Sequence, residues 1–176
     1  MRSDVALRPL DQDLLLALLR TAVADADPLE VMPPVPGEDG WTAGARAAFL
    51  RFHRSRSLSA QPVEATFAVL VGAEVAGAAR LCPASPSAHA PGAAGAAGAA
   101  EAGVWIARRH RGAGVGAAVL RRLLERARAD GFAAVLISTG SDNIPVHRLL
   151  TTLGVELVHG PDGVTARVGL TPGRPA

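Results

Sequence analysis

Arg111-Gly112-Ala113-Gly114-Val115-Gly116 is the stretch that decides the fold. Upstream, Gly103-Val104-Trp105-Ile106 is a short apolar run that reads as a strand. Downstream, Val115–Asp130 reads as an amphipathic helix, because Val119, Leu123 and Ala127 recur every fourth residue with Leu120 and Leu124 beside them. The connection is basic first (Arg108, Arg109, His110, Arg111) and glycine-rich second. A strand, a glycine loop and a helix start in that order make an anion site. Glycine lets backbone approach a phosphate, the first helical amides lack internal partners, and the helix dipole adds positive potential.

Three anion loops compete for this pattern. A P-loop fails, since no Lys-Ser or Lys-Thr follows the glycines. A dinucleotide fingerprint is formally satisfied by Gly112-Ala113-Gly114-Val115-Gly116-Ala117, but its glycines should come straight off the strand. Here Ala107–Arg111 intervenes, and about a hundred residues precede the loop where that fold expects few. The third reading depends on the residues on either side of the loop.

Working outward, Ala133–Ser138 reads as a buried central strand, and Asn143 opens a short helix over Pro145–Leu153 that Gly154 ends. Val155–Val158 and Val164–Gly169 read as the last strands. Toward the N-terminus, Val5–Leu7 reads as a strand, and Asp11 or Asp13 can cap a helix through Leu14, Leu15, Leu18, Leu19 and Val23. Val31–Gly40, with three prolines, reads as a loop. Thr42 is expected to cap a helix over Gly44–Ser57. Thr66–Val71 and Val75–Leu81 read as a hairpin, and the Pro/Gly/Ala-rich segment Cys82–Ala100 as a flexible loop. The order β, α, α, β, β, β, α, β, α, β, β describes one mixed α/β (α+β) domain over residues 1–170, with 171–176 a tail.

Composition excludes little. The 176 residues contain no Lys and no Tyr, and Asn143 is the only Asn, which looks like bias in a GC-rich genome. A net charge of +2 does not argue for nucleic-acid binding. Cys82 stands alone, so no internal disulfide forms, which suits a reducing cytoplasm. Ala22-Val23-Ala24 has a cleavage-site form, yet Asp11, Asp13 and Arg20 break the apolar run before it, against secretion. No run approaches membrane-spanning length.

Arg111-Gly112-Ala113-Gly114-Val115-Gly116 matches the Q/R-x-x-G-x-G/A signature of the GNAT superfamily of acetyl-CoA-dependent N-acetyltransferases, which the chain resembles. Asn143–Gly154 resembles that family's next block, an Asn followed by a short helix and Gly. The likeness is strong over about Glu101–Val158 and rests on element order before that. It implies a mixed sheet of six to seven strands flanked by about four helices, with a splayed cleft for acyl-CoA. It implies acetyl transfer to a primary amine of a small molecule or protein, without metal. Within that resemblance, backbone of Gly112, Ala113, Gly114, Val115, Gly116 and Ala117 holds the pyrophosphate, and Arg108, Arg109 and Arg111 add charge. Trp105, Ile106 and Ala107 offer backbone to the pantetheine arm and the thioester carbonyl; core packing is the other role open to Trp105. Glu101 is the candidate base or an exposed strand-end Glu, and Asn143 meets the cofactor arm or caps a turn. The family often places a Tyr acid where this chain has Leu150. His147, four residues after Asn143 on one helix face, is the substitute donor or a surface His. That gap supports a second reading, a degenerate acyl-CoA-binding or sensor protein. On the acceptor side Trp41, Arg46, Phe49, His53 and Arg54 are candidate lining, unless Phe49 and Phe52 simply face the core. Analogy with the family adds the possibility of a homodimer through the last strands, while the lone cysteine, the small net charge and the lack of a long apolar run carry the expectation of a cytoplasmic protein with neither nucleic-acid nor membrane partner.

Overall fold

The computed structural model describes residues 4–84, 98–161 and 163–170. In chain order the elements are β1 (Val5–Pro9), α1 (Gln12–Asp25), α2 (Pro28–Val31), α3 (Ala43–Ser57), β2 (Ala65–Val71) and β3 (Glu74–Pro83). Then follow β4 (Ala99–Ile106), a single 3-10 turn (Arg108–His110), α4 (Val115–Ala129), β5 (Ala134–Thr139), α5 (Ile144–Thr152), β6 (Leu157–Gly160) and β7 (Gly163–Gly169). Seven strands form one open mixed sheet in the order β1-β2-β3-β4-β5-β7-β6. β4 and β5 pair in parallel, whereas β1–β2, β5–β7 and β6–β7 are antiparallel. Among the described residues no helix is long and apolar enough to cross a membrane.

Among the described residues the helices number five, in keeping with about four flanking the sheet, and the additional one is a single turn that Asp27-Pro28-Leu29-Glu30 closes with a capping box and proline in its first turn. One expected boundary needs correction. The expected loop 82–100 is shorter at both ends. Cys82 and Pro83 complete β3, and Ala99 and Ala100 begin β4 as buried residues. Alanine's small side chain made this half of the strand look like the low-complexity run before it. Residues 85–97 of that loop lie outside the described residues.

Backbone contacts divide the chain into two compact units. The first comprises Met1–Arg80 and Val104–Leu120. Asp11 caps α1 by accepting the Leu14 N–H at 2.7 Å, and Thr42 caps α3 by accepting the Ala45 N–H at 3.1 Å. The spacing of Leu14, Leu15, Leu18 and Ala22 turns one stripe of α1 inward, onto a cluster with Phe49 of α3 and Ala68 and Leu70 of β2. Each buried leucine contributes roughly 1.5–3 kcal/mol. Thr66–Leu70 are buried without alternation, so β2 is covered on both faces. One charge sits inside this unit. The buried Glu64 carboxylate is paired by Arg56 at 2.8 Å and Arg80 at 3.2 Å and accepts from Thr66 at 3.2 Å. Burial raises its pKa, but the two guanidinium groups and the hydroxyl outweigh that and hold it below the usual carboxylate range.

The second unit comprises Leu81–Gly103 and Arg121–Ala176. Ala134 and Val135 are buried in succession, as a strand covered on both faces requires. The β4–β5 ladder runs from Ala99↔Ala134 to Ala102↔Ile137, and β7 lines the other edge of β5 from Ala134↔Gly169 to Thr139↔Val164. α4 closes with Phe132 N–H to Ala127 O at 3.0 Å and Gly131 N–H to Arg128 O at 3.1 Å, which satisfies its last carbonyls.

Candidate functional site

The end of β4 is fixed by its neighbour β3. The Ala107 N–H donates to the Ala76 carbonyl at 2.8 Å. A Cβ on Gly77 would lie 2.1 Å from the Trp105 carbonyl oxygen, so only glycine allows this approach. Strand alternation then turns the N–H and C=O of Val104 and Ile106 to the opposite edge. That edge lies beyond the β4–β5 ladder, whose last pair is Ala102↔Ile137. The Ile106 carbonyl is occupied, because Arg111 Nε donates to it at 2.7 Å. Of the three backbone positions expected at this end, Ala107 therefore spends its amide on the sheet, and the Ile106 amide faces the opposite edge. Val104, which sequence reasoning missed, shares that edge. Trp105 packs against the hydrophobic cluster, and among the described residues its buried Nε1 has no hydrogen-bond partner. Gly77→Ala should cost about 1–3 kcal/mol by forcing backbone apart. Urea unfolding of the variant checks this, and wild-type stability would contradict the close approach.

The glycine loop follows the 3-10 turn. Arg111 is extended (φ −74°, ψ 161°), while Gly112 and Gly114 adopt φ +75° and +77°. Ala113 between them has negative φ, since among the described residues only glycines have positive φ. Backbone of alternating φ sign turns successive N–H groups toward one concavity. Nothing lies within 4 Å of a Cβ built on Gly112, Gly114 or Gly116, so the demand for glycine at 112 and 114 is torsional and the space around the loop is open. α4 starts at Val115, and its first bond is Ala118 N–H to Gly114 O at 3.1 Å. The amides of Val115, Gly116 and Ala117 thus precede the helical ladder. No acidic residue in the first turn competes for them.

The loop arginines do not supply free charge. Arg109 donates from its backbone N–H to Asp25 at 2.9 Å and from NH1 to the same oxygen at 3.3 Å, and its Nε reaches Glu74 at 3.1 Å. Arg111 and Arg108 both pair with Glu30 Oε2, at 3.2 and 3.5 Å. That oxygen also accepts the Asp27 N–H at 3.2 Å, the return bond of the α2 capping box. Burial raises the Glu30 pKa, and the bonds from Arg111 and the Asp27 amide together with both guanidinium charges more than reverse it. The hydrogen bond from Arg109, against slight burial, holds Glu74 low as well. Three carboxylates thus answer three arginines. Neither the Asp27–Glu30 capping box nor its pairing with the loop was read from the sequence.

In the second unit the remaining candidates occupy two places. Glu101 is half-buried on β4, opposite Leu136 of β5. Asn143 and His147 gather at the β5–α5 turn. Asn143 Nδ2 donates to Thr139 Oγ1 at 2.8 Å, and His147 Nε2 lies 3.1 Å from the Gly140 carbonyl, which a ring N–H can satisfy. Among the described residues neither is hydrogen-bonded to Glu101. Leu150 is fully buried.

The proposed acceptor residues divide differently. Phe49 is wholly buried, and Trp41 stacks edge-on against it at 5.7 Å while donating to the Ala26 carbonyl at 2.9 Å. His53 is 3% exposed, between Phe49 at 4.6 Å and Phe52 at 5.2 Å, and neither ring nitrogen has a hydrogen-bond partner among the described residues. Burial, reinforced by Arg80 and opposed by Glu64, lowers its pKa to about 4. Trp41, Phe49 and His53 are therefore packing residues, since an apolar stripe with an aromatic-flanked His points inward. Arg46 Nε caps the Trp41 carbonyl at 3.1 Å and Arg54 Nε reaches Gln12 at 3.2 Å. Among the described residues no three His, Cys, Asp or Glu side chains form a metal-binding group.

Comparison with solved structures returns this architecture at low identity. A GCN5-related N-acetyltransferase from Kribbella flavida is 19% identical, with a TM-score of 0.66 over 97% of this chain and 100% of that one. Salmonella typhimurium yncA, solved with its cofactor acetyl-CoA, is 17% identical, with a TM-score of 0.63 over 96% and 95%. Mycobacterium smegmatis RimJ, in complex with CoA-disulfide, is 20% identical, with a TM-score of 0.66 over 93% and 80%. Comparison with curated proteins gave no match. Residues 34–155 match the model of the acetyltransferase (GNAT) family. The chain belongs to that family.

Proposed function

We propose that this chain moves an acetyl group from acetyl-CoA to a primary amine of a small molecule or protein. One observation carries the reading: the loop 111–114 alternates its φ sign and delivers the unpaired amides of Val115, Gly116 and Ala117 to an open concavity. Two phosphates need several converging donors, and a glycine-shaped helix start provides them. The bound ligands of yncA and RimJ support acyl-CoA as the molecule held on this fold.

In this reading the backbone at Val104 and Ile106 pairs with the pantetheine arm. The Ile106 amide is the donor nearest the end of the strand, available to the thioester oxygen as charge builds there. The amine nitrogen attacks the acetyl carbon while Glu101 takes its proton, and the C–S bond then breaks to release CoA thiolate. His147 returns a proton to the sulfur, or the thiolate leaves unaided, which a thiol pKa of ~8.5 permits. Asn143, anchored on Thr139, borders the cofactor arm. Reaction in a reducing cytoplasm fits the lone cysteine, Cys82.

Turnover is tested by thiol release from acetyl-CoA across an amine panel, together with calorimetric titration of acetyl-CoA, CoA and NAD. Glu101→Gln should lower kcat/KM about 10²-fold and leave the acetyl-CoA Kd unchanged. An unaltered kcat/KM would remove Glu101 from the mechanism. A second reading, a degenerate acyl-CoA sensor, is favoured by Leu150, which is wholly buried in a chain without Tyr, and by His147, already bonded to Gly140 O. Tight acetyl-CoA binding without turnover on any amine selects it. NAD binding stronger than CoA binding would overturn both.

A further inference from the structure

A groove of about 520 Å³ runs along α3, well within the usual range of small-molecule sites. Its walls are apolar: the segment Met32–Val35 on one side, Ala48 and Phe52 on the other. Its rim is cationic, with Arg51 and Arg54 projecting from α3 beside Ser55. α3 carries four arginines and no acidic residue between Ala43 and Ser57. These arginines differ in how far they are committed. Arg56 is bound to Glu64, Arg46 to the Trp41 carbonyl, and Arg54 spends only Nε on Gln12. Among the described residues Arg51 has no hydrogen bond or ion pair, and it is exposed at the groove. Glu38, the first acid after the Met32–Val35 wall, is engaged by the Thr42 hydroxyl.

An apolar trough with an unpaired guanidinium at its lip complements one kind of molecule. A carboxylate fits the planar guanidinium fork, and a hydrocarbon body fits the trough. We propose that this groove binds a monocarboxylate with an apolar chain or ring, with its carboxylate on Arg51 and Arg54. The site lies wholly on α3 and the Met32–Val35 segment, and it holds whether or not the glycine loop binds CoA.

The test is calorimetric titration of the intact chain with decanoate, decanol and decylamine, each below its aggregation threshold. Decanoate should bind one per chain, decanol about tenfold more weakly, and decylamine more weakly still. Arg51→Gln, a surface change, should weaken decanoate about tenfold and leave decanol unchanged. Ala48→Trp, which fills the trough, should abolish both. Absence of decanoate binding, equal affinity for decanoate and decanol, or indifference to Arg51→Gln would each overturn the proposal. Acetyl-CoA titration of the same variants should match wild type, so failure here is distinguishable from failure of the CoA reading.

Discussion

Gly114→Glu should abolish measurable CoA binding, a loss of at least about 100-fold, while the protein still unfolds cooperatively. Two effects add. Position 114 holds φ +77°, which costs any L side chain about 1–2 kcal/mol. The new carboxylate then stands where the proposed pyrophosphate would sit, so like charges repel at the helix start. Gly114→Ala separates the two, because it keeps the torsional cost and brings no charge. It should weaken CoA roughly tenfold, the torsional share alone. Calorimetry with CoA reads both variants. Unchanged affinity in Gly114→Glu would end the assignment of this loop to phosphate. Salt gives a companion measurement: with Arg108, Arg109 and Arg111 already paired to carboxylates, CoA affinity should depend only weakly on ionic strength.

Acid should destabilise this protein well before its carboxylates protonate. His53 titrates near 4 in the fold and near 6.5 when unfolded. Above pH 6.5 both states carry it neutral. As pH falls from 6.5 toward 4, the unfolded chain binds a proton that the folded chain refuses, and stability drops by about 3 kcal/mol across that window. Glu64 acts lower down. Its folded pKa is depressed, so the stability it contributes is present above the unfolded carboxylate value and is lost as pH falls through the folded one. Urea unfolding at pH 7, 5 and 4 measures the first effect. His53→Phe should flatten the decline between pH 6.5 and 4.5 and leave the lower phase in place. Equal slopes in both proteins would refute the role of His53.

Most elements were legible because their signals are local. Asp11 and Thr42 cap helices through a hydroxyl or carboxylate three residues from the donor, and the leucine spacing of α1 repeats with the helical turn. The torsional demand at Gly112 and Gly114 is equally local. What escaped was pairing over distance. Nothing around Arg109 in the sequence announces Asp25, 84 positions earlier, nor anything near Arg111 the carboxylate of Glu30. Basic residues beside a glycine loop read naturally as phosphate ligands, and only their partners show them committed elsewhere. His53 was hidden for the opposite reason: a polar residue on an arginine-rich helix resembles lining until its aromatic neighbours are located.

Glu30 sets a boundary for engineering. Its Oε2 serves the Asp27 amide, Arg111 and Arg108 together, so the first turn after α1 and the glycine loop share one fastening. An exchange of residues 32–40 with a segment from another acetyltransferase would leave that fastening whole. A graft that begins at residue 27 would remove the counter-ion of two loop arginines along with the transplanted piece. Recombination libraries on this chain should therefore place their crossover after Val31 and treat Asp27–Glu30 as part of the loop it faces.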